Sequence, residues 1–302
     1  MIEIKNISKS FGKKVVLNDI SLSIPTNNIF GLVGINGAGK STLLKLLSNA
    51  YDPTSGEILY DGVPVSAIQS KKDIFFLPDE PYSSRHETVK SLLEFYQSLY
   101  DFTIESFDKY VKTFKLDVAI GGNIYNKNIN KFSKGMKRQL FICIALAISP
   151  KYLFLDEAFD GLDPLARLTF KRIILKKLET TEMTIIISSH SLRELEDLCD
   201  SYGLIDNATI ENTGNIEENK KEYQKYQLAF IHDVSKDLFE DLKVVSFSKI
   251  GRIIKLIVEG NEEDNYNALL AKNPILIDKL PIDFEELFII KVESKGYIAH
   301  EE

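Results

Sequence analysis

The sequence predicts an α/β fold, a mainly parallel β-sheet covered by helices on both faces, followed by a second, smaller α+β module. Three observations carry this reading. Short, continuously apolar segments (Ile29–Val33, Ile74–Leu77, Tyr152–Leu155 and Thr184–Ile187) alternate with helix-periodic stretches, the pattern of strands buried on both faces. The 302 residues suggest about two domains at roughly 100–200 residues each. The chain also changes character after about Asn215, where a polar Lys/Glu-rich stretch separates the α/β pattern from a shorter mixed one.

Taken in order, residues 2–24 read as strands, with Ile2, Ile4 and Ile7, then Val15, Val16 and Leu17, then Ile20, Leu22 and Ile24 in near-alternation. Pro25, Asn27 and Asn28 form a turn before the strand Ile29–Val33. A Gly-rich loop, Gly34 to Gly39, leads into a helix from Lys40 whose apolar face is Leu43, Leu44, Leu46 and Leu47. Asp52, Pro53, Ser55 and Gly56 break it. From about Thr88 to Ile148 the spacing is helical, through Leu92, Leu93, Phe95, Tyr96 and Leu99, and again Phe107, Tyr110, Val111 and Phe114. A last helix of this insert opens near Lys134, and another spans about Leu165 to Leu178 between the last two apolar strands. The expected organisation is a first domain over 1–215 with a helical subdomain at about 86–148, a linker at 216–226, and an accessory α+β domain over 227–302. In the accessory domain Gln227–Ile231, Val244–Phe247 and Ile253–Val258 read as strands, and Asp237–Leu242, Glu262–Ala271 and residues 283–292 as helices.

Composition excludes several classes. With 44% apolar and 27% charged residues, the chain is neither disordered nor fibrous. Its 37 Lys+Arg against 44 Asp+Glu give a net charge of −7, so nothing in the overall field favours nucleic acid, and none is expected as a partner. Cys143 and Cys199 lack CxxC spacing and read as buried, reduced thiols. Four histidines without an HExxH pattern give no transition-metal cluster; His86, His232 and His300 are treated as surface residues. The longest apolar run in mid-chain, Phe141–Ile148, is far short of the ~20 residues a spanning helix needs, and the N-terminus has no secretory h-region. A role at a membrane would therefore need a separate spanning partner.

The chemistry starts at residues 34–42, GINGAGKST, which fit G-x-x-x-x-G-K-[ST] between a strand and a helix. Backbone N–H groups of such a loop, Asn36, Gly37, Ala38 and Gly39 among them, and the following helix N-terminus attract a phosphate. Lys40 is expected to reach the β- and γ-phosphates and Ser41 to bind Mg²⁺, with Thr42 in the same turn. Residues 152–157, YLFLDE, end a buried strand with two carboxylates, where open parallel sheets bind ligands. Asp156 is expected to complete the Mg²⁺ shell. Glu157, pointing the other way by strand alternation, is expected to act as general base toward water. Residues 184–190, TIIISSH, end an adjoining strand at His190, near the γ-phosphate edge.

These pieces, in this order, resemble an ATP-binding cassette (ABC) ATPase of the drug, antibiotic and peptide exporter branch, over about residues 1–215. The phosphate loop and Asp–Glu strand end are joined by FSKGM (132–136), similar to the family signature, by AFDGLD (158–163), similar to its D-loop, and by His190 at its switch-histidine position. The resemblance implies a P-loop NTPase with a RecA-like core, an antiparallel β subdomain and a helical insert. It implies that Phe11 stacks on adenine, that Ser133 and Gly135 contact ATP bound to a partner subunit, and that Asp163 lies at the shared site. It also implies ATP hydrolysis with Mg²⁺, a second ABC subunit in a homo- or heterodimer, an integral membrane permease, and a peripheral place on the cytoplasmic face of the cell membrane. There are departures: Phe132, Lys134 and Met136 replace the signature's usual Leu, Gly and Gln, and Asp79 stands where the family has Gln, still able to meet Mg²⁺ through water. Two other roles are set against transport. A non-transport ABC ATPase acting on nucleic acid or ribosomes is disfavoured by the single cassette, the acidic charge and the lack of a heptad run. A regulatory cassette with little hydrolysis is disfavoured by Glu157 and His190.

Overall fold

Near-alternating burial joins the first two strands. β1 (Ile2–Phe11) buries Ile2, Ile4 and Ile7, β2 (Lys14–Ile24) buries Leu17, Ile20 and Ile24, and they pair antiparallel with Ile2 opposite Ile24. The structure is a computed structural model that describes residues 1–67 and 71–293. It divides into two units, Met1–Thr213 and Gly214–Glu302.

In the first unit β3 (Ile29–Val33) is buried throughout and runs through the phosphate loop into α1 (Lys40–Leu47), which packs Leu43, Leu44, Leu46 and Leu47 into the core. β4 (Ser55–Tyr60) and β5 (Val63–Pro64) complete an antiparallel sheet of order β2-β1-β4-β5. After β6 (Ile74–Leu77) come the insert helices α2 (Val89–Leu99), α3 (Ile104–Thr113), α4 (Leu116–Ile120) and α5 (Lys134–Ile148). Thr88 starts α2 with a capping box to Ser91, and Thr103 and Ser133 cap α3 and α5. β7 (Tyr152–Leu155), α6 (Pro164–Leu178), β8 (Thr184–Ser188), α7 (Leu192–Glu196), β9 (Ser201–Asp206) and β10 (Thr209–Asn215) follow.

The second sheet has the order β10-β9-β3-β8-β7-β6, and the pairs β9–β3, β3–β8, β8–β7 and β7–β6 are parallel. This order decides the location of the chemistry. The loops that leave β3, β6, β7 and β8 all emerge at one edge, the C-terminal ends of adjacent strands. Core side chains from both sheets meet in one cluster that includes Ile4, Leu17, Leu44, Ile58, Tyr152 and Phe154.

The second unit begins earlier than the sequence suggests. Residues 216–226, expected as a linker, form α8 (Ile216–Lys221), capped by Asn215, and enter β11 (Tyr223–Ala229), which buries Gln224, Tyr226 and Leu228. β12 (Val244–Ile250), β13 (Ile253–Glu259), α9 (Glu262–Leu270), β14 (Leu276–Leu280) and α10 (Phe284–Glu293) complete it, with an antiparallel sheet of order β12-β13-β11-β14. Strand β14 has no counterpart in the sequence reading, and the helix expected over 237–242 is a short 3₁₀ turn, Lys236–Phe239. The accessory-domain expectation reaches residue 302; residues 294–302, His300 among them, lie outside the described residues. Among the described residues no helix is long and apolar enough to cross a membrane.

Candidate functional site

The phosphate loop is shaped by two glycines. A Cβ on Gly34 would stand 2.6 Å from the Ile205 carbonyl oxygen, and one on Gly39 would stand 2.7 Å from Leu17, where the backbone also has φ +114°. Only glycine lets the loop lie this close to β9 and β2 and then turn into a helix. The first α1 bond runs from Leu43 N–H to Gly39 C=O at 2.9 Å. The N–H groups of Lys40, Ser41 and Thr42 precede it, have no acceptor within the helix, and are available to an anion.

Lys40 is buried. Its ammonium donates to Gly34 C=O at 2.7 Å and Ile35 C=O at 3.3 Å, and lies 4.0 Å from Glu157 Oε1. Burial pulls its pKa below the usual lysine value, while Glu157 and Asp156 oppose the shift. Beside the loop, Lys14, Val15 and Val16 of β2 and the turn Asp206–Ala208 face Asn36, Gly37 and Ala38 across a cleft of about 600 Å³. Phe11 is not among the residues lining it. Phe11 sits at the β1–β2 hairpin opposite Lys14, half-exposed, edge-on to Tyr51 at 5.6 Å and with the Lys9 ammonium 5.0 Å from its ring centre.

At the neighbouring strand ends, Asp156 is buried and accepts a hydrogen bond from Ser188 Oγ at 2.7 Å, and the same oxygen accepts from Glu157 N–H at 2.9 Å. Strand alternation does not orient Glu157: β7 ends at Leu155, and Glu157 has φ +48°, in the left-handed region. That turn brings its carboxylate to His190, whose Nδ1 lies 2.8 Å from Glu157 Oε2 and whose N–H donates to it at 3.3 Å. Lys40, Asp156, Glu157 and His190 therefore form one cluster, as the sequence suggests; His86 and His232 are exposed.

The remaining candidates gather one helix away. Ser133 and Gly135 open α5, with Ser133 Oγ accepting from Met136 N–H at 3.2 Å. A Cβ on Gly135 would stand 2.3 Å from Gly161 C=O, so the signature-like turn and the 158–163 turn are pressed together. Asp163 caps α6, accepting from Ala166 N–H at 2.9 Å. The Lys134 ammonium is paired with Asp160 at 2.5 Å and lies 3.7 Å from Asp79, so carboxylates of its own chain already partner it; Asp160 holds its pKa up. Asp79 is also 3.1 Å from the buried Arg138.

The structure adds Ser188 and Arg138 to the sequence candidates. Ser188 was legible: once β7 and β8 pair in parallel with Leu155 opposite Ile187, the next positions are Asp156 and Ser188. Ser188→Ala leaves a buried carboxylate and an N–H short of a partner, at a cost of about 1–3 kcal/mol. Denaturant unfolding should show that loss, and wild-type stability would contradict the bridging role.

The comparisons with known proteins agree with this geometry. A family model described as "ABC transporter" matches residues 17–160. The lantibiotic transport ATP-binding protein SrtF of Streptococcus pyogenes is 34% identical over 232 residues, covering 76% of this chain and 98% of that protein. The chain belongs to the ABC transporter ATP-binding proteins. The similarity extends through the second unit: the ABC transporter ATP-binding protein YtrB of Bacillus subtilis is 29% identical over 98% of this chain and 99% of its own length. A solved structure titled as the ATP binding subunit of an ABC transporter shares the fold, with a TM-score of 0.65 at 24% identity over 73% of this chain and 92% of that one. ABC ATP-binding subunits bind ATP and are, in general, ATPases.

The site fits both ATP and its metal. A buried ammonium now satisfied by two loop carbonyls suits a polyphosphate. The Ser41 hydroxyl and the Asp156 carboxylate are hard oxygen donors, and Mg²⁺ needs only one or two from protein because phosphates and water supply the rest. Among the described residues no cluster of three or more His, Cys, Asp or Glu suggests a different ion.

Proposed function

We propose that this ABC subunit binds and hydrolyses ATP with Mg²⁺ and powers export through a separate membrane subunit. The observation that carries it is Glu157, 19% exposed, with its carboxylate between Lys40 Nζ at 4.0 Å and His190 Nδ1 at 2.8 Å at the edge where the parallel strands end. Lys40 exchanges its loop carbonyls for β- and γ-phosphate oxygens. Ser41 and Asp156 would hold the ion, with Ser188 fixing the Asp156 rotamer; Mg²⁺ bound there would supply neutralisation of the phosphate charge. Glu157 accepts the proton of the attacking water, and His190 holds the carboxylate in place. Phe11 offers an exposed ring for adenine; Asn36, Gly37, Ala38, Gly39 and Thr42 wrap the phosphates. Asp79, drawn toward Arg138 and Lys134, keeps one oxygen for a water-mediated contact.

In this reading two cassettes, identical or related, meet head to tail. Ser133 and Gly135 of one cap the nucleotide of the other, with Asp163 setting the turn beside them. The relative described as a lantibiotic transport protein supports export. A docking place for the permease is supported by an apolar cleft of about 370 Å³ between the end of β6 and α2, lined by Leu77, Pro81, Tyr82, Phe95 and Tyr96. Tyr96 is packed against Phe75 and Phe141, whereas Tyr82 and Phe95 are 86% and 56% exposed, Phe95 meeting only the edge of Tyr96 among the aromatic rings of the described residues. The subunit then sits peripherally on the cytoplasmic face of the membrane.

Affinity purification of the tagged chain from detergent-solubilised membranes tests this. It should recover an integral membrane protein, and Phe95→Asp should lose that protein while ATP affinity stays unchanged. Recovery of no membrane protein by the wild-type chain would sink the transport reading.

A further inference from the structure

Arg138 is 1% exposed on α5, a helix whose next residues, Gln139 to Ala147, are buried and mostly apolar. Hydrophobic burial does not put a guanidinium there; converging acceptors do. Nη1 donates to Pro78 C=O at 2.9 Å. Nη2 lies 3.1 Å from Asp79 Oδ1, 3.2 Å from Asp156 C=O and 3.0 Å from Glu157 C=O. One planar fork thus spans the segment that leaves β6 and the two residues that leave β7, from a helix whose first residues are the signature-like turn.

Glu157 needs such a hold. Its φ of +48° is disfavoured for a residue with a Cβ and persists only where the surroundings determine it. Ser188 fixes the N–H side of this turn and Arg138 fixes the carbonyl side. The same backbone turn aims the carboxylate at Lys40 and His190. We propose that Arg138 is a positioning residue that holds Glu157 in its hydrolytic orientation, and that the hold depends on Pro78 and Asp79, at the head of the segment leading to the apolar cleft. A lysine cannot replace it, because a point ammonium cannot span carbonyls on two segments as a rigid fork does. The inference rests on the reading of Glu157 as general base.

The test compares Arg138→Lys, Arg138→Gln and Glu157→Gln in the full chain. Amide hydrogen exchange of the nucleotide-free protein should speed up about tenfold over residues 156–161 in both Arg138 variants, with 152–155 unchanged, because only the turn is released. ATP affinity should stay within about threefold and kcat should fall about tenfold or more with KM unchanged, the split expected when only transition-state geometry is lost. Arg138→Lys with wild-type exchange and kcat would overturn the inference, since charge alone would then suffice. Exchange that rises equally in 152–155 and 156–161 would also overturn it, because that is general destabilisation. If neither Arg138 variant folds, Asp79→Asn at the more exposed end of the fork decides. It should speed exchange over 156–161 about threefold, and no change would overturn the proposal. Glu157→Gln separates the two claims: turnover in that variant sinks the general-base reading, whereas a dead Glu157→Gln beside wild-type Arg138 variants sinks this inference alone.

Discussion

Glu157→Gln should reduce steady-state ATP hydrolysis by at least about a hundredfold while leaving ATP affinity within about threefold of wild type. The substitution is nearly isosteric. It keeps an oxygen that can accept from His190 and from its backbone N–H, the contacts that set the wild-type carboxylate at 2.8 Å and 3.3 Å. What it removes is the basic oxygen for the proton of the attacking water. Binding rests mainly on the loop and on Lys40, which the change does not displace. ATP should then accumulate unhydrolysed, and if two cassettes close around it, gel filtration with ATP and Mg²⁺ should show a stable dimer for the variant alone. Phosphate release near the wild-type rate would remove Glu157 from the mechanism.

Lys40→Ala should weaken ATP binding by about two decades, measured by isothermal titration. The ammonium is 6% exposed, so most of its exchange from carbonyl to phosphate occurs away from water. Charge-assisted hydrogen bonds contribute about 1.5–3 kcal/mol each, and losing two of them corresponds to about a hundredfold or more in affinity. The free protein responds in the opposite sense at its own carbonyls. Gly34 C=O loses its 2.7 Å donor, but keeping a charge buried is itself costly, so the net stability change should be small. Unchanged affinity would mean that phosphates bind elsewhere.

Four of the six strands of the mainly parallel sheet and the loop were legible because their signals are local; β9 and β10 had no counterpart in the sequence reading. Four short apolar segments alternating with helical stretches read as strands buried on both faces, and the loop pattern lay between one of them and a helix. The orientation of Glu157 was not legible. Alternation holds only while the backbone stays extended, and the chain leaves β7 at Asp156, one residue too early for the rule to apply. Arg138 was passed over because nothing in sequence reveals that carbonyls from residues 78, 156 and 157 converge on one helix position. The supposed linker failed for a related reason. Its inward positions in β11 include Gln224, buried because its amide donates to Lys221 and Gly260 carbonyls and accepts from Asn265, and a buried glutamine breaks the apolar period that marks a strand. Edge strand β14 buries none of its residues fully and exposes Leu276, so its inward face carries no strong apolar signal.

The most direct measurement of the central claim is thermal unfolding with and without ATP and Mg²⁺. A ligand that binds only the folded protein at about a hundred times its dissociation constant adds about 2.7 kcal/mol, which for a unit of this size raises the melting temperature by roughly 5–10 °C. The wild-type chain should show that shift, and Lys40→Ala should lose it at the same nucleotide concentration. A wild-type chain whose melting temperature ignores saturating nucleotide would contradict that claim.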